Sequence, residues 1–176
     1  MLKKLLYIII PLFLVLLGWF GWMLKEKYFP PPAVHYHAGF IVVKDSKIVD
    51  FSGNQYMNAR ACGSMEHKHL TPEEEQLEKA HLHDHVGDVV HVHINGALWK
   101  DLFKNIDYPF DENNVTVYNN KEKITDFKNF PIMPYQSLVI FIGKPTDEKK
   151  FLDQTVTKKH IEDIEKKSES CAATDK

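Results

Sequence analysis

The chain has 176 residues, with 22 Lys and Arg against 24 Asp and Glu, ten histidines and two cysteines. A balance this close to neutral argues against nucleic acid as a partner, which demands a concentrated positive surface. Two cysteines, Cys62 and Cys171, are too few for a disulfide scaffold, and the length suits one domain with its own core.

The first two dozen residues differ from the rest. Leu5 to Leu24 carries no charge and is almost wholly apolar. Twenty such residues in a helix span about 30 Å of hydrocarbon. Lys3 and Lys4 precede the run, which places the N-terminus in the cytoplasm, and Trp19 and Trp22 mark the far interface. Bulky residues stand where a signal peptide would have a small-residue cleavage site, and no lipoprotein cysteine is near. The pattern predicts a retained single-pass transmembrane anchor, with Pro11 a tolerable kink. Everything past Lys27 then lies outside the cytoplasm, in a periplasm or at a cell surface. Setting aside Lys3, Lys4, Lys25, Lys27 and Glu26 leaves 18 basic and 23 acidic residues in that outer part.

This reading divides the chain into a cytoplasmic tip and anchor (1–27), a stiff spacer around Pro30-Pro31-Pro32 (28–34), a His-rich domain (35–167) and a frayed tail (168–176). The domain opens with His35-Tyr-His37-Ala-Gly-Phe-Ile-Val-Val43, a β-rich run. Lys44 to Lys47 is a turn into Ile48 to Phe51, so a first hairpin is predicted. Residues two apart on a strand share a face, so His35 and His37 oppose Tyr36, Ala38, Phe40 and Val42.

An irregular stretch follows, with Cys62, Met65, His67 and His69 in one loop. A helix should begin at Thr71, the N-cap, with Pro72 at the first helical position and Glu74 completing a capping box. Its charged composition predicts a solvated bracket.

The chain then reads Ala80-His-Leu-His-Asp-His-Val-Gly-Asp-Val-Val-His-Val-His-Ile-Asn95. Its histidines fall on every second residue. His81 and His83 form one strand, and His91 and His93 form its neighbour across the turn Asp84 to Asp88, where Gly87 can adopt positive φ. Val90, Val92 and Ile94 take the opposite face. Cross-strand neighbours lie roughly 5 Å apart, within reach of one ion.

Beyond the turn Asn95-Gly96, residues Trp99, Leu102, Phe103 and Ile106 recur at helical spacing, the stripe of a helix packed on the sheet. Val115–Tyr118 and Lys123–Phe127 form another strand pair, and Ser137–Gly143 is the most apolar and central strand. Residues 147–167 read as one C-terminal helix with Phe151, Leu152, Val156, Ile161 and Ile164 inward. Strands and helices mix without strict alternation. The fold class is therefore α+β: a mixed sheet of hairpins with a packed amphipathic helix, similar to the β-grasp arrangement.

Three His-x-His pairs, 35/37, 81/83 and 91/93, point to a metal site. Neutral imidazoles suit copper and zinc. Four would close a tetrahedral site, and three would leave a position open. Asp84 and Asp88 are placed to orient the ligands from behind. Cys62, Met65, His67 and His69 form a softer secondary set, with His85 in the turn less constrained. Three functions fit: capture or transfer of copper or zinc to or from a partner protein, a hydrolytic or redox metalloenzyme, and a surface domain whose histidines sense pH.

Several resemblances bear on this. His85-Val-Gly-Asp88 resembles a stretch beside the bridging site of copper/zinc superoxide dismutase, which also has an upstream His-x-His. That family's barrel signature is not found in this chain. His35-Tyr-His37-Ala-Gly-Phe40, Asp50-Phe51-Ser52, His81-Leu-His83-Asp84 and Gly87-Asp88-Val-Val-His91-Val-His93 together resemble a group of small, membrane-anchored, His-rich proteins of bacteria and archaea. The likeness covers roughly residues 35–95. Some members carry disulfide-isomerase-type names. That activity needs a reactive Cys-x-x-Cys, whereas Cys62 is followed by Gly63, Ser64 and Met65.

Overall fold

The computed structural model describes residues 10, 13–22, 34–58, 70–127 and 129–172. The chain divides into two compact units, Met1–Ala33 and Val34–Lys176. In the first, residues 13–22 are helical, and Phe13, Leu14, Val15, Leu16, Leu17, Trp19, Phe20 and Trp22 are exposed. Among the described residues no helix is long and apolar enough to cross a membrane. Much of the predicted span, Leu5 to Leu24, lies outside them.

The second unit is α+β, with a mixed sheet. Its strands are β1 (Tyr36–Lys44), β2 (Lys47–Ile48), β3 (Val89–Val92), β4 (Val115–Asn119), β5 (Glu122–Ile124) and β6 (Ser137–Ile142). The helices are α1 (Pro72–Lys79), α2 (Trp99–Asn105), α3 (Glu148–Leu152) and α4 (Lys158–Ala172). The sheet runs β2-β1-β6-β4-β5, and β3 also pairs with β1. β1 organises it because both of its edges are used. On one edge Phe40 N donates to Asp88 O, and Val42 O accepts from Val49 N, so β3 and β2 share that edge. On the other, Gly39–Lys44 runs parallel to Ser137–Ile142 of β6. The predicted turn after Lys44 is present, with Asp45 and Ser46 at φ 50° and 60°. Such a pair matches the twist of a two-residue hairpin.

Both faces of the sheet are covered. Ala38, Phe40, Val42, Val90, Val92, Leu138 and Ile140 pack with Phe51 and with Trp99, Leu102, Phe103 and Ile106 of the α2 segment. Phe40 is the hub, with ring centroids 5.6 Å from Phe51 and 6.0 Å from both Trp99 and Phe103. The opposite face carries a second apolar cluster: Ile41, Val43, Val89, Val139 and Phe141 against Phe151, Val156, Ile161 and Ile164.

That second cover differs from the single C-terminal helix expected over 147–167. The helix breaks after Leu152, where Thr155 Oγ1 donates to the Leu152 carbonyl, and restarts at Lys158. The break lets Val156 drop onto Gly39, where an added Cβ would lie 2.5 Å from Val156 Cβ. α4 then continues to Ala172 across the face that also bears the histidines.

α1 starts as expected. Glu74 N donates to Thr71 Oγ1 at 3.2 Å, and Thr71 N donates to Glu74 Oε2 at 2.8 Å. Its far end is not simply solvated, because Asn105 Nδ2 of α2 donates to the Gln76 and Ala80 carbonyls at 2.7 Å each. This clamp fixes where the chain enters His81. The turn that follows also differs in detail from the expectation. Asp84 and His85 take positive φ, 56° and 59°, and Val86 N donates to His83 O. Gly87 serves close approach instead: a Cβ there would lie 2.5 Å from Ser52 N.

Candidate metal centre

Register aligns the histidines. His37 of β1 is the cross-strand partner of His91 of β3, and His91 in turn forms an antiparallel bridge with His81. The His81 and His91 backbones exchange both hydrogen bonds, at 3.0 and 2.9 Å. β1, β3 and the bridged residue His81 therefore present His81, His91 and His37 in one row, although the strand expected over His81 and His83 is reduced to this isolated bridge. His35 and His93 form the next step along, with rings stacked at 4.9 Å and 11° between planes.

This face is not wet. His37 and His91 are wholly buried, His81, His83 and His93 nearly so, and only His35 is exposed. Burial disfavours the imidazolium and is the largest influence on each shifted ring. It pulls His81 down to about 4, with His83 adding to the effect. His93 falls to about 3, with His81 contributing next. His37 falls to about 4, lowered further by His35 and partly restored by Glu165. His91 is pushed well below the usual histidine range by burial and then by His37. All four are neutral at neutral pH, the form that ligates metals.

The donors fall into two sets. In the first, His35, His37 and His91 each offer a nitrogen, and the three lie within 4.8 Å of one another. In the second, Glu78, His81 and His93 do the same. The six histidines expected around one point are thus divided, and His83 belongs to neither set. Its Nδ1 instead sits 2.7 Å from Asp84 Oδ2, while its ring lies 3.5 Å from that of His91, centroid to centroid.

Proton placement in the first set follows from its neighbours. Glu165 Oε1 of α4 lies 3.5 Å from His37 Nδ1, at the outer limit of a hydrogen bond and close enough to favour the proton there. His37 Nε2 is then the acceptor in its 2.7 Å contact with His91 Nδ1, so His37 joins an ion only by exchanging that hydrogen bond for a metal–nitrogen bond. His91 Nε2 is left as a bare lone pair, buried and without a hydrogen-bond partner among the described residues. Other buried side-chain atoms share this state, Trp99 Nε1 and Ser137 Oγ among them, and His91 Nε2 is set apart by the imidazoles around it, where an ion would meet its lone pair.

Glu165 is itself held. Tyr135 Oη donates to its Oε2 at 2.7 Å, Tyr135 N donates to the His37 carbonyl at 2.8 Å, and Lys158 Nζ stands 5.0 Å from the Tyr135 ring centroid. Tyr135 has φ 58°, a costly conformation for a bulky residue and one that concentrates at functional sites.

Of the other residues singled out from the sequence, Asp84 bonds His83, but Asp88 reaches His160 Nε2 at 3.2 Å rather than a ring of either set. His85 is exposed, with Nδ1 donating to the Ser52 carbonyl at 3.2 Å. Cys62, Met65, His67 and His69 lie outside the described residues. Sequence reasoning missed Glu78, Glu165 and Tyr135. Only Glu78 had a signal: it precedes His81 by three residues and lies in the last turn of a helix, where the dipole favours a cation. Compared with known proteins, the chain matches no family model, no curated protein and no solved structure.

Proposed function

We propose that residues 34–176 form a transition-metal-binding module, tethered to a membrane by the apolar N-terminal segment, that captures copper or zinc and hands the ion to a partner protein. The observation behind it is the His35, His37 and His91 set, with nitrogens within 4.8 Å of one another and a buried His91 Nε2 that has no hydrogen-bond partner among the described residues. Imidazole nitrogens select copper and zinc over calcium or magnesium. Three donors leave a coordination position for water or for a partner's ligand, which is what transfer requires. His35 is the one exposed member and offers the ion a way in. Rings already neutral near pH 7 also speak for ligation over sensing of pH near 6.

Tethering rests on the uncharged run Leu5 to Leu24 and on the exposed apolar helix over residues 13–22. Lys3 and Lys4 support an outward-facing domain. The likeness to a β-grasp domain is supported by the central parallel β1–β6 pair with antiparallel strands on either side. It says nothing about chemistry.

The test is elemental analysis of purified residues 34–176 after exposure to copper and to zinc, followed by desalting. At least one equivalent of bound metal is expected. Less than about a tenth of an equivalent would overturn the proposal, because sites with several protein ligands hold their ions far more tightly than that.

A further inference from the structure

The second donor set differs in chemistry from the first. Glu78, His81 and His93 are all buried, and one ligand atom from each lies within 4.8 Å of the others. Three features prepare it to bind an ion. His81 Nδ1 lies 3.1 Å from the Leu77 carbonyl, which can only accept, so Nδ1 carries the proton and Nε2 is a free lone pair. A ring nitrogen anchored to a carbonyl is the usual support of a metal-bound histidine. His93 N donates to the Glu78 carbonyl at 3.1 Å, which ties the β3 end to α1 and holds two of the ligands in register. Glu78 itself breaks a local preference: its carboxylate stands in the last turn of a helix, where the dipole disfavours negative charge. Residues that break local rules in this way mark functional sites.

The two sets share a wall. His81 of one bridges His91 of the other, and the His93 and His35 rings stack. We infer that the face holds two adjacent ions: one in the three-histidine set, and a second divalent first-row ion in the set of two histidines and one carboxylate. The carboxylate makes the second set harder than the first and suits zinc or cobalt(II). The inference rests on the metal-binding reading above and extends it to a second ligand set.

The test uses the full-length chain in detergent, stripped with chelator and titrated with zinc, with cobalt(II) absorption as a second readout. The wild-type protein should bind two equivalents. Glu78→Gln and His93→Ala should each retain one equivalent and weaken the other at least 100-fold, with the circular dichroism spectrum unchanged. His37→Ala should likewise retain one equivalent, with a cobalt spectrum different from that of Glu78→Gln. If the wild type binds one equivalent, and Glu78→Gln and His37→Ala both abolish it, a single shared site replaces the pair. If Glu78→Gln still binds two equivalents with wild-type affinity, the carboxylate is no ligand and the inference falls. If no zinc binds at all, the metal-binding reading falls with it.

Discussion

Alternate residues of β1 and β3 face two differently built interiors. On one side Ala38, Phe40, Val42, Val90 and Val92 close on Phe51, Trp99 and Phe103. On the other, Ile41, Val43 and Val89 continue into His37, His91 and His93. The two faces are about equally buried, so burial does not distinguish them. The difference is what burial yields. Apolar rings gain stability in proportion to the area removed from water. Buried imidazoles gain little, lose their proton and, at His91 Nε2, leave a lone pair unmet among the described residues. One face holds the fold together, and the other gives up part of that stability to keep neutral ligands ready.

The contrast can be broken from either side. The largest effect is expected from Phe40→Ala. Phe40 is wholly buried at the hub of the aromatic face, and the truncation should cost roughly 3–5 kcal/mol by urea denaturation. A loss below about 1 kcal/mol would mean that the aromatic face does not hold the fold.

His91→Ala is the counterpart on the other face. The variant should remain folded while its zinc affinity, measured by competition with a chromophoric chelator, falls more than about 100-fold, beyond what loss of a supporting residue costs. Unchanged affinity would remove His91 from the ligands.

Acid sharpens the comparison further. An unfolded histidine titrates near 6.5. Folded His37 and His81 are lowered to about 4 and His93 to about 3, chiefly by burial. Between these values the unfolded chain binds more protons, so stability rises with pH across that window. The metal-free protein should therefore keep its full stability above about pH 6.5 and lose it progressively as the pH falls toward 4. Thermal melting at pH 7.5, 5.5 and 4.5 measures this. A melting temperature that does not change with pH would contradict the burial of these rings.

Glu165→Gln should act more gently. It removes the carboxylate that favours the proton on His37 Nδ1, and zinc affinity should drop about 10- to 100-fold while melting barely moves. An affinity within twofold of wild type would leave Glu165 with a packing role only. The smallest effect belongs to His160→Ala, which loses an exposed contact to Asp88 and should cost under about 1 kcal/mol by urea denaturation. A larger loss would mean that this contact holds α4 over the face.

Much of this architecture was legible because local chemistry and tertiary demand agree. The capping box at Thr71 and Glu74, the Trp99 to Ile106 stripe and the turn at Asp45-Ser46 are short-range devices that survive into the fold. So is the His91/His93 alternation, since a one-residue slip would trade Val90 and Val92 for imidazoles in the aromatic core. Glu165 was not legible, because it lies 128 positions from His37 and meets it only when α4 crosses the sheet. The helix break before Lys158 escaped notice because the apolar spacing of Phe151, Leu152 and Val156 fits a continuous helix, and only the need to reach Gly39 interrupts it.

What the amino-acid order determined by itself is which side chains share a face, since strand and helix periods are properties of the backbone alone. That was enough to gather histidines on one side of a sheet and aromatic residues on the other. Which strands became neighbours, and so which histidines meet, was decided only by tertiary structure. The parallel pairing of β1 with β6 leaves a single edge of β1 for β3, and this aligns His37, His91 and His81 in one row. The clamp of Asn105 on α1 brings in Glu78, and the descent of α4 brings in Glu165 and buries the face. Ligand sets depend on distances across the chain, and those distances exist only once the sheet has closed.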